Sequence, residues 1–378
     1  MGPLALVGPS WPFRGGIART TTSLAQTLER RGSLAGFFVP LRQYPRWLYP
    51  GGDDRDDAAC PRLASAHACF SLFAPLSWRR LFREVSCSGA RALVIPYWTA
   101  AWAPLAFFLT RRGLPVFGIV HNPYDHEASP WSRWLAWGTL RRFSGFLTHA
   151  RTVAWQLHRW FPQKPVKVHP LPPPVTRPVD QEAARRNLDI PQDVVLFLFF
   201  GLVRGYKGVE LLLRAAAGLP AAPPWLLAIV GEAWEGGERL QGLARELGLG
   251  PRVRLELRWV PEEETPLWFS AADVVVLPYR RATGSAVAAQ ALAYGLPVVA
   301  SATGGFLEVV EQGRNGLLVP PGDLEALRGA MAALLETGLR RQLAAGAKGW
   351  GERWSWDSYA EALEELVSSA LSQDSREV

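Results

Sequence analysis

The stretch ADVVVLPYRRATGSAVAAQALAYGLPVVASATGGFLEVVEQGRNGLLVPPGD, residues 272–323, decides the fold of the surrounding chain. It contains three short apolar runs, Val274–Leu277, Val298–Ala300 and Gly316–Val319, and a helix-length segment, Ser285–Tyr294, separates the first two. Short β-branched runs that alternate with helix-length segments are typical of parallel strands joined by crossover helices. The stretch therefore predicts part of a parallel α/β sheet.

The same alternation extends through the rest of the chain. The other predicted strands are Leu4–Val7, Ala92–Ile95, Val116–Val120, Phe146–Thr148, Val194–Phe200, Leu226–Val230 and Val253–Leu257. The other predicted helices are Gly16–Arg31, Ala101–Arg112, Trp131–Arg142, Thr152–Trp160, Val209–Ala217, Gly237–Leu247, Glu262–Ala271, Leu324–Glu336 and Trp356–Leu371. This pattern predicts two doubly wound Rossmann-like α/β domains that face each other across a cleft, where ligands lie at the carboxyl ends of the strands.

A proline-rich segment, Val168–Val179, interrupts the alternation and predicts a linker without regular structure. We therefore place an N-terminal domain at 1–175 and a C-terminal domain at 185–355. The C-terminal helix, within 356–378, is predicted to pack back towards the N-terminal domain.

The composition is that of an ordinary globular protein, with 378 residues, 48% of them apolar and 20% charged. Three unevenly spaced cysteines without a CxxC pair, and an N-terminus without a basic leader or cleavage site, predict a cytoplasmic protein. The most apolar stretch, Tyr97–Thr110, has 14 residues and is too short to span a bilayer. We interpret the 17 tryptophans as core and interface filler.

The charge is divided unevenly along the chain. Residues 1–178 contain 22 Lys and Arg against 8 Asp and Glu, whereas residues 179–378 contain 19 against 26. The excess of cations predicts that the first half meets something anionic. The cations form no basic run and no nucleic-acid motif, so no nucleic-acid partner is expected. A phosphate-bearing small molecule and the inner face of the cell membrane both stay open as partners.

Three loops that follow predicted strands and precede predicted helices are rich in glycine or small residues. They are GPSWPFRGGIART at 8–20, FFGLVRGYKGVELLL at 199–213 and ATGS at 282–285. The N–H groups at a helix N-terminus favour anions. Arg204 and Lys207 suit a diphosphate, because an arginine can bind it with two parallel hydrogen bonds and a lysine supplies a point charge. A plain turn, helix capping or solvated surface charges remain alternatives for these loops.

Three longer stretches carry a resemblance to a known family. GPSWPFRGGIART, FGLVRGYKG at 200–208 and GLPVVASATGGFLEVVEQGRNGLLVPPGD at 295–323 resemble the family-4 glycosyltransferases of the GT-B fold. RQYPRWLYPG at 42–51, HNPYDHE at 121–127 and PYRRATGS at 278–285 are similar to a bacterial subgroup of that family. The resemblance implies that a sugar moves from UDP or GDP to a glycan or lipid-linked acceptor with retention of configuration. The nucleotide sugar would be a substrate, with no cofactor and no metal.

The resemblance also implies roles for individual residues. His121, Arg204 and Lys207 would be catalytic. The donor would be bound by Gly15, Gly16, Arg204, Lys207, Trp259, Val260, Thr283, Gly284, Ser285, Ala286, Val287 and Gln290. The acceptor or the sugar would meet Arg14, His121, Asn122, His126 and Glu127. Capping of the next helix is the alternative role for His126 and Glu127. His149 and His169 are further candidates to line the cleft.

Two positions depart from the family pattern. The family carries two glutamates eight positions apart where this chain has Ala282 and Gln290. Gln290 can still hydrogen-bond a ribose hydroxyl, whereas Ala282 cannot replace a carboxylate. A non-catalytic relative that binds a nucleotide sugar or a partner is therefore the alternative, and the retained Arg204 and Lys207 favour an enzyme. An epimerase or hydrolase ranks lower, because this block lacks the carboxylates that proton transfer needs.

No metal site is predicted. No two histidines have the spacing of metal ligands together with carboxylates that could complete a metal site. The acidic run Asp53, Asp54, Asp56 and Asp57 resembles a metal-binding motif, but it lies in a polar loop and is interpreted as a solvated acidic segment.

Overall fold

The structure is a computed structural model that describes residues 2–42, 55, 63, 65–123, 130–174, 177–233, 236–282 and 286–374. The chain divides into two compact units. The first unit comprises Met1–Pro170 together with Ser355–Val378, and the second comprises Leu171–Trp354.

The regular elements alternate along both units. The strands are β1 Leu4–Val7, β2 Leu34–Pro40, β3 Ala66–Phe70, β4 Ala92–Tyr97, β5 Val116–Val120, β6 Gly145–Thr148, β7 Val166–Val168, β8 Val195–Phe200, β9 Trp225–Val230, β10 Val253–Glu256, β11 Val274–Leu277, β12 Val298–Ser301 and β13 Gly316–Val319. The helices are α1 Gly16–Arg30, α2 Pro75–Cys87, α3 Ala103–Leu109, α4 Pro130–Leu140, α5 Arg151–Trp160, α6 Gln181–Asn187, α7 Val209–Ala217, α8 Gly237–Glu246, α9 Thr265–Ala271, α10 Ala286–Ala293, α11 Phe306–Val309, α12 Leu324–Ala333, α13 Thr337–Ala347, α14 Trp350–Arg353 and α15 Trp356–Asp374. Short 3₁₀ turns lie at Ala100–Trp102, Gly205–Lys207 and Gly250–Arg252.

The first unit is built on a parallel sheet with the strand order β3-β2-β1-β4-β5-β6-β7. Every residue of β1 is fully buried, because the two faces of this central strand enter two different cores. Leu4 and Leu6 pack with α1 and α15, whereas Ala5 and Val7 pack with α2, α3, α4 and α5. The strand order reverses between β1 and β4.

The C-terminal helix completes the first of these two cores. Tyr359, Leu363 and Leu366 of α15 are buried in the same cluster as Leu4 and Leu24. At the rim, the guanidinium of Arg31 donates to both carboxylate oxygens of Glu364, at 3.3 and 2.8 Å. The last helix of the chain therefore belongs structurally to the first unit.

The second unit contains a parallel sheet with the order β10-β9-β8-β11-β12-β13. Its order reverses between β8 and β11, where Val274 pairs with Phe197 and Val275 with Leu198. The strands read as continuous apolar runs, VLFLFF in β8 and WLLAIV in β9, because helices shield them. Both units therefore have the doubly wound, Rossmann-like topology, which confirms the predicted fold class.

Two interpretations of the sequence need correction. Val168, placed in the predicted linker, is the last residue of β7 and pairs with Thr148. Trp131, Trp134 and Trp155 are not core filler, since they are 65%, 66% and 66% exposed. In α4 the buried Ala136 and Leu140 face the core, and the helical period turns Trp134 to the opposite side.

Candidate functional site

In the second unit, the point where the strand order reverses carries several of the predicted donor-binding residues. Doubly wound sheets bind ligands at the carboxyl ends of the strands at this point. The loop after β8 contains Arg204 and Lys207, and the loop after β11 leads into α10, which begins with Ala286 and Val287. The topology thus brings two separate sequence motifs to the same sheet edge.

Glycines allow these loops to pack backbone against backbone. Gly208 has a φ of +71°, and a Cβ added to it would lie 2.1 Å from the carbonyl oxygen of Pro278, after β11. Gly231, after β9, has a φ of +142°, and its Cβ would lie 2.3 Å from the carbonyl oxygen of Gly201. Other residues would clash at both positions and would strain the backbone there. The loops after β8, β9 and β11 are therefore held in direct contact.

Lys207 places a cation in this contact region. Its Nζ lies 5.2 Å from the centroid of the Tyr279 ring, which is a cation–π distance. A Cβ on Gly201 would lie 3.4 Å from this Nζ and 3.7 Å from Cγ2 of Val287. The ammonium, the bare backbone of Gly201 and the first turn of α10 therefore lie together.

The electrostatics of Lys207 leave its charge available to a ligand. Burial and the nearby charge of Arg204 lower its pKa to about 8. Within the described ranges, no acidic side chain forms an ion pair with Lys207. An oxyanion bound here would gain a charge-assisted hydrogen bond and would relieve the repulsion between the two cations.

Arg204 precedes Lys207 on the same loop. Its backbone is extended, with φ −134° and ψ 151°, and its carbonyl accepts a hydrogen bond from the Lys207 N–H at 2.9 Å. That bond closes the 3₁₀ turn Gly205–Lys207 and fixes the backbone between the two residues. The charge of Arg204 contributes to the lowered pKa of Lys207, as expected for two cations on one short loop.

The two positions that depart from the family pattern are both buried. Ala282, on the loop after β11, is 9% exposed, and Gln290, in the second turn of α10, is 8% exposed. Thr283, Gly284 and Ser285, which lie between them, fall outside the described residues, as do His126 and Glu127. Their predicted role in donor binding, and the predicted roles of His126 and Glu127, stay predictions.

Trp259 and Val260, which are predicted to bind the donor, follow β10 at the edge of the sheet. Val260 is buried and Trp259 is half-buried. The neighbouring guanidinium of Arg258 forks the Glu264 carboxylate at 2.7 and 2.8 Å and reaches Glu256 at 3.3 Å. Its charge is therefore neutralised locally, and the segment offers backbone groups and an indole ring to a ligand.

In the first unit, the loop after β1 ends at the start of α1. Gly15 has a φ of +116°, and a Cβ on either Gly15 or Gly16 would meet no atom within 4 Å. Within the described residues, no side chain caps α1 and no acidic residue lies in its first turn. The half-buried Arg14 precedes this turn. The loop thus combines open space with a helix N-terminus that suits an anion.

Three histidines follow three adjacent strands of the first unit. His121 follows β5, His149 follows β6 and His169 follows β7. The His121 and His149 rings lie 4.6 Å apart between centroids, and Tyr359 of α15 stacks on His149 at 5.7 Å. Nδ1 of His149 lies 3.3 Å from the His169 carbonyl oxygen, which accepts a hydrogen bond from the ring in the matching tautomer.

Several polar atoms of this cluster lack hydrogen-bond partners among the described residues. They are Nε2 of His121, Nε2 of His149 and Oδ1 of Asn122, all buried. Burial and the neighbouring His149 lower the pKa of His121, and burial lowers the pKa of His149 to about 4. Both rings are therefore neutral at pH 7. His121 and Asn122 offer uncharged hydrogen-bonding groups, which suit hydroxyl-bearing ligands.

Sequence reasoning missed two aromatic residues at these sites. Tyr279 lies beneath Lys207 and is 3% exposed, and Tyr359 is fully buried against His149. Tyr279 lies two residues after the end of β11, which was a usable signal. Tyr359 lies about 200 residues along the chain from its partners, and its only sequence signal is an apolar position in an amphipathic helix.

Within the described residues, no group of three His, Cys, Asp or Glu could hold a metal ion.

Comparisons with known proteins agree with this architecture. Residues 14–177 match the family model described as Glycosyltransferase Family 4, and residues 180–350 match that described as Glycosyl transferases group 1. The D-inositol 3-phosphate glycosyltransferase of Acidothermus cellulolyticus is 32% identical over 240 residues, 60% of this chain and 53% of that protein. Its namesake in a Nocardioides species is 39% identical over 202 residues, 49% of this chain and 44% of that protein. The chain thus spans about half the length of these curated relatives.

Solved structures show the same fold at low sequence identity. Sucrose-phosphate synthase of Thermosynechococcus elongatus superposes with a TM-score of 0.79 at 21% identity, covering 99% of this chain and 100% of that one. HepE of Anabaena, in complex with UDP-glucose, superposes with a TM-score of 0.75 at 18% identity, covering 97% and 99%. The two family models together account for most of the chain, and both units have the topology of these GT-B structures. The chain therefore belongs to the family-4 glycosyltransferases of the GT-B fold.

Proposed function

We propose that the protein transfers a hexose from a UDP- or GDP-sugar to a glycan or lipid-linked acceptor, with retention of configuration and without a metal. The observation that carries this proposal is the position of Lys207. Its ammonium lies at the strand-order reversal of the second unit, next to Arg204, bare glycine backbone and the first turn of α10. This arrangement fits a diphosphate, which has several oxygens and needs several donors.

In this mechanism Arg204 and Lys207 stabilise the leaving diphosphate as negative charge builds up on it. Stabilisation of a leaving group's charge by donors already in place often accelerates such a reaction more than any other single effect. Two cations and backbone amides would supply it without a metal. Neutral His121 and Asn122 would bind hydroxyls of the transferred sugar or of the acceptor and hold them in position.

The relatives narrow the substrates to be tested first. HepE was solved with UDP-glucose, so UDP-sugars head the donor panel. The curated relatives are named for D-inositol 3-phosphate, which makes a phosphorylated polyol a useful first acceptor alongside glycans and lipid-linked sugars. The cationic first half of the chain, 22 Lys and Arg against 8 Asp and Glu, favours an anionic acceptor.

The proposal is tested first by thermal unfolding with UDP, GDP, ADP and their sugars, each with and without EDTA. A ligand at about 100 times its Kd stabilises a protein by about 2.7 kcal/mol, which is easily seen as a shift in Tm. Transfer is then followed by release of the nucleoside diphosphate, and the anomeric configuration of the product by NMR. We expect the double substitution Arg204→Ala with Lys207→Ala to abolish both the stabilisation by nucleotide and the transfer. The matched control is Arg214→Ala on α7, an exposed arginine away from the strand-order reversal.

The outcomes separate the alternatives. No stabilisation by any nucleotide or nucleotide sugar contradicts the proposal, and so does transfer that survives the double substitution. Loss of transfer on addition of EDTA contradicts metal independence alone. Stabilisation without turnover on any acceptor points to the second candidate, a nucleotide-sugar-binding relative without activity, which is favoured by Ala282 and Gln290 at the two glutamate positions.

A further inference from the structure

The first unit carries an unusual concentration of exposed apolar side chains. Among the described residues, ten large apolar side chains are exposed, and seven of them lie on helices α2 to α5 or just before α2. These seven are Phe73, Leu76, Phe107, Trp131, Trp134, Trp137 and Trp155, with exposed fractions of 36–81%. The second unit has only Val179 and Leu307 in this set among its described residues.

The four helices form one continuous layer, whose outer surface we call the α2–α5 face. Their inner sides share one core, which contains Trp78, Leu105, Ala136 and Val153. Trp78 of α2 lies 5.7 Å from Phe108 of α3. The layer therefore covers a single side of the sheet, and its outward aromatic rings lie on the same side of the unit.

Contacts between neighbouring helices continue across the layer. Arg142, just after α4, stacks on Phe107 of α3 at 4.5 Å, and Trp137 of α4 stacks on Phe161, just after α5, at 6.3 Å. The exposed rings of Trp131 and Trp134, three residues apart on α4, lie 6.3 Å apart and nearly parallel. Trp131 and Trp134 are therefore direct neighbours, and the contacts of Phe107 and Trp137 connect α4 to the helices on either side of it.

The α2–α5 face is also strongly basic. Residues 71–164 contain 12 Lys and Arg against 3 Asp and Glu, and on the four helices themselves the one acidic residue is Glu84. Glu84 is neutralised by Arg80 at 2.8 Å. Guanidinium groups lie against the aromatic rings of this layer, at 4.6 Å for Arg111 on Phe107, 5.2 Å for Arg141 on Trp137 and 5.5 Å for Arg159 on Trp155.

An anionic bilayer surface is the partner that fits this combination. Tryptophan rings prefer the headgroup region of a bilayer, and arginines beside them can bind lipid phosphates. A second copy of the same face would bring like charges together, which disfavours self-association through it. Every helix among the described residues is too short or too polar to span a bilayer. We propose that the α2–α5 face docks the protein on an anionic lipid bilayer, with Trp131, Trp134 and Trp155 in the headgroup layer and the arginines on the phosphates.

The test is sedimentation of the full chain with large vesicles, either of phosphatidylcholine alone or with about a third of phosphatidylglycerol. We expect binding to the anionic vesicles at least about tenfold stronger, falling steeply as salt rises from ~0.1 M to ~0.5 M, because screening weakens the phosphate contacts. The tryptophan emission should shift to the blue on binding, since the exposed indoles leave water.

Variants locate the docking surface. Trp131→Ser, Trp134→Ser and Trp155→Ser together should weaken vesicle binding about tenfold or more without changing Tm, because all three side chains are exposed. Arg141→Glu with Arg142→Glu should weaken binding to a similar extent, but only on the anionic vesicles. The matched control is Leu307→Ser, which removes a 50% exposed apolar side chain from the second unit and should bind as the unmodified protein does.

Each other outcome overturns the docking proposal. Equal binding to both kinds of vesicle would show that the protein does not recognise anionic lipid phosphates. Unchanged binding by the tryptophan variant would show that the α2–α5 face is not the docking surface. A wild-type dimer that becomes a monomer in the tryptophan variant, measured by light scattering, makes the face an interface between copies. The docking deepens the proposed function but fails independently of it, because the tryptophan variant should keep its stabilisation by nucleotide.

Discussion

The ammonium of Lys207 lies 5.2 Å from the centroid of the Tyr279 ring, at the point where the second sheet reverses its strand order. The aromatic face partly compensates the charge, while burial and Arg204 lower the pKa to about 8. Lys207 is thus a cation at neutral pH that loses its charge within an accessible pH range.

The affinity for a nucleoside diphosphate should therefore fall as pH rises through 8. Binding needs the charged ammonium, so above the pKa of the free protein Kd should rise by up to about tenfold per pH unit. Calorimetric titration with UDP and GDP between about pH 6.5 and 9.5 measures this dependence. Lys207→Arg should flatten the profile, because arginine stays charged throughout. The same slope in that variant would show that another group titrates.

Gly208 should tolerate no side chain. Gly208→Ala places a Cβ 2.1 Å from the Pro278 carbonyl oxygen at a φ of +71°, so the loops after β8 and β11 must move apart. We expect a loss of about 2–4 kcal/mol in the free energy of unfolding, together with weaker nucleotide binding. Calorimetric melting measures the loss of stability, and titration with nucleotide measures the loss of affinity. Gly205→Ala, three residues earlier, meets no atom within 4 Å and should melt as the unmodified protein does.

The buried histidines should make the first unit sensitive to acid. The pKa of His149 in the folded protein is about 4, below the ordinary 6.5, so its contribution to stability is complete above pH 6.5 and is lost as pH falls towards 4. His121, His169 and Tyr359 surround the ring and supply no negative charge to a protonated His149.

A substitution isolates this contribution. His149→Phe keeps an aromatic ring but cannot titrate, so between pH 7 and about 4.5 it should lose about 2–3 kcal/mol less stability than the unmodified protein. Urea unfolding at the two pH values measures the difference. His158→Gln, an exposed position on α5, is the control and should leave the acid sensitivity unchanged.

A buried ion pair should be the main polar anchor at the start of the second unit. Arg185 of α6 is 4% exposed, and its Nη2 lies 2.7 Å from Oδ2 of Asp273, which also accepts the Leu196 N–H at 2.7 Å. Asp273→Asn leaves the arginine charge buried without its partner and should cost about 3–5 kcal/mol. Glu182→Gln, which breaks the exposed Arg186–Glu182 pair on the same helix, should cost less than about 1 kcal/mol. Similar losses from the two substitutions would contradict the anchor.

The sequence predicted the buried strands well because their residues are apolar on both faces. Leu4–Val7, Val116–Val120, Val274–Leu277 and Gly316–Val319 have the predicted bounds in the structure. It missed β2 and β3, since Gly36 and Pro40 weaken the strand pattern of β2 and His67 interrupts the short β3. Those strands owe their existence to pairing with β1 and with each other, which local composition does not record.

The position of the candidate site was predictable where its chemical groups lie within the loop sequences. Arg204 and Lys207 each lie beside a glycine in the loop after β8. Val287 belongs to a second motif, which the sheet topology brings to the same edge. Contacts that join distant parts of the chain were not predictable. The His149–Tyr359 stack depends on where α15 docks, and one sequence contains no signal for that partner.

The docking of α15 also has a consequence for biosynthesis. The sheet of the first unit is complete in sequence by Val168, but one of its two cores needs Tyr359, Leu363 and Leu366. A chain emerging from the ribosome would expose that apolar surface while the whole of Leu171–Trp354 is made and folds. Nascent chains halted before residue 355 should accordingly recruit chaperones and resist proteases only in their later half.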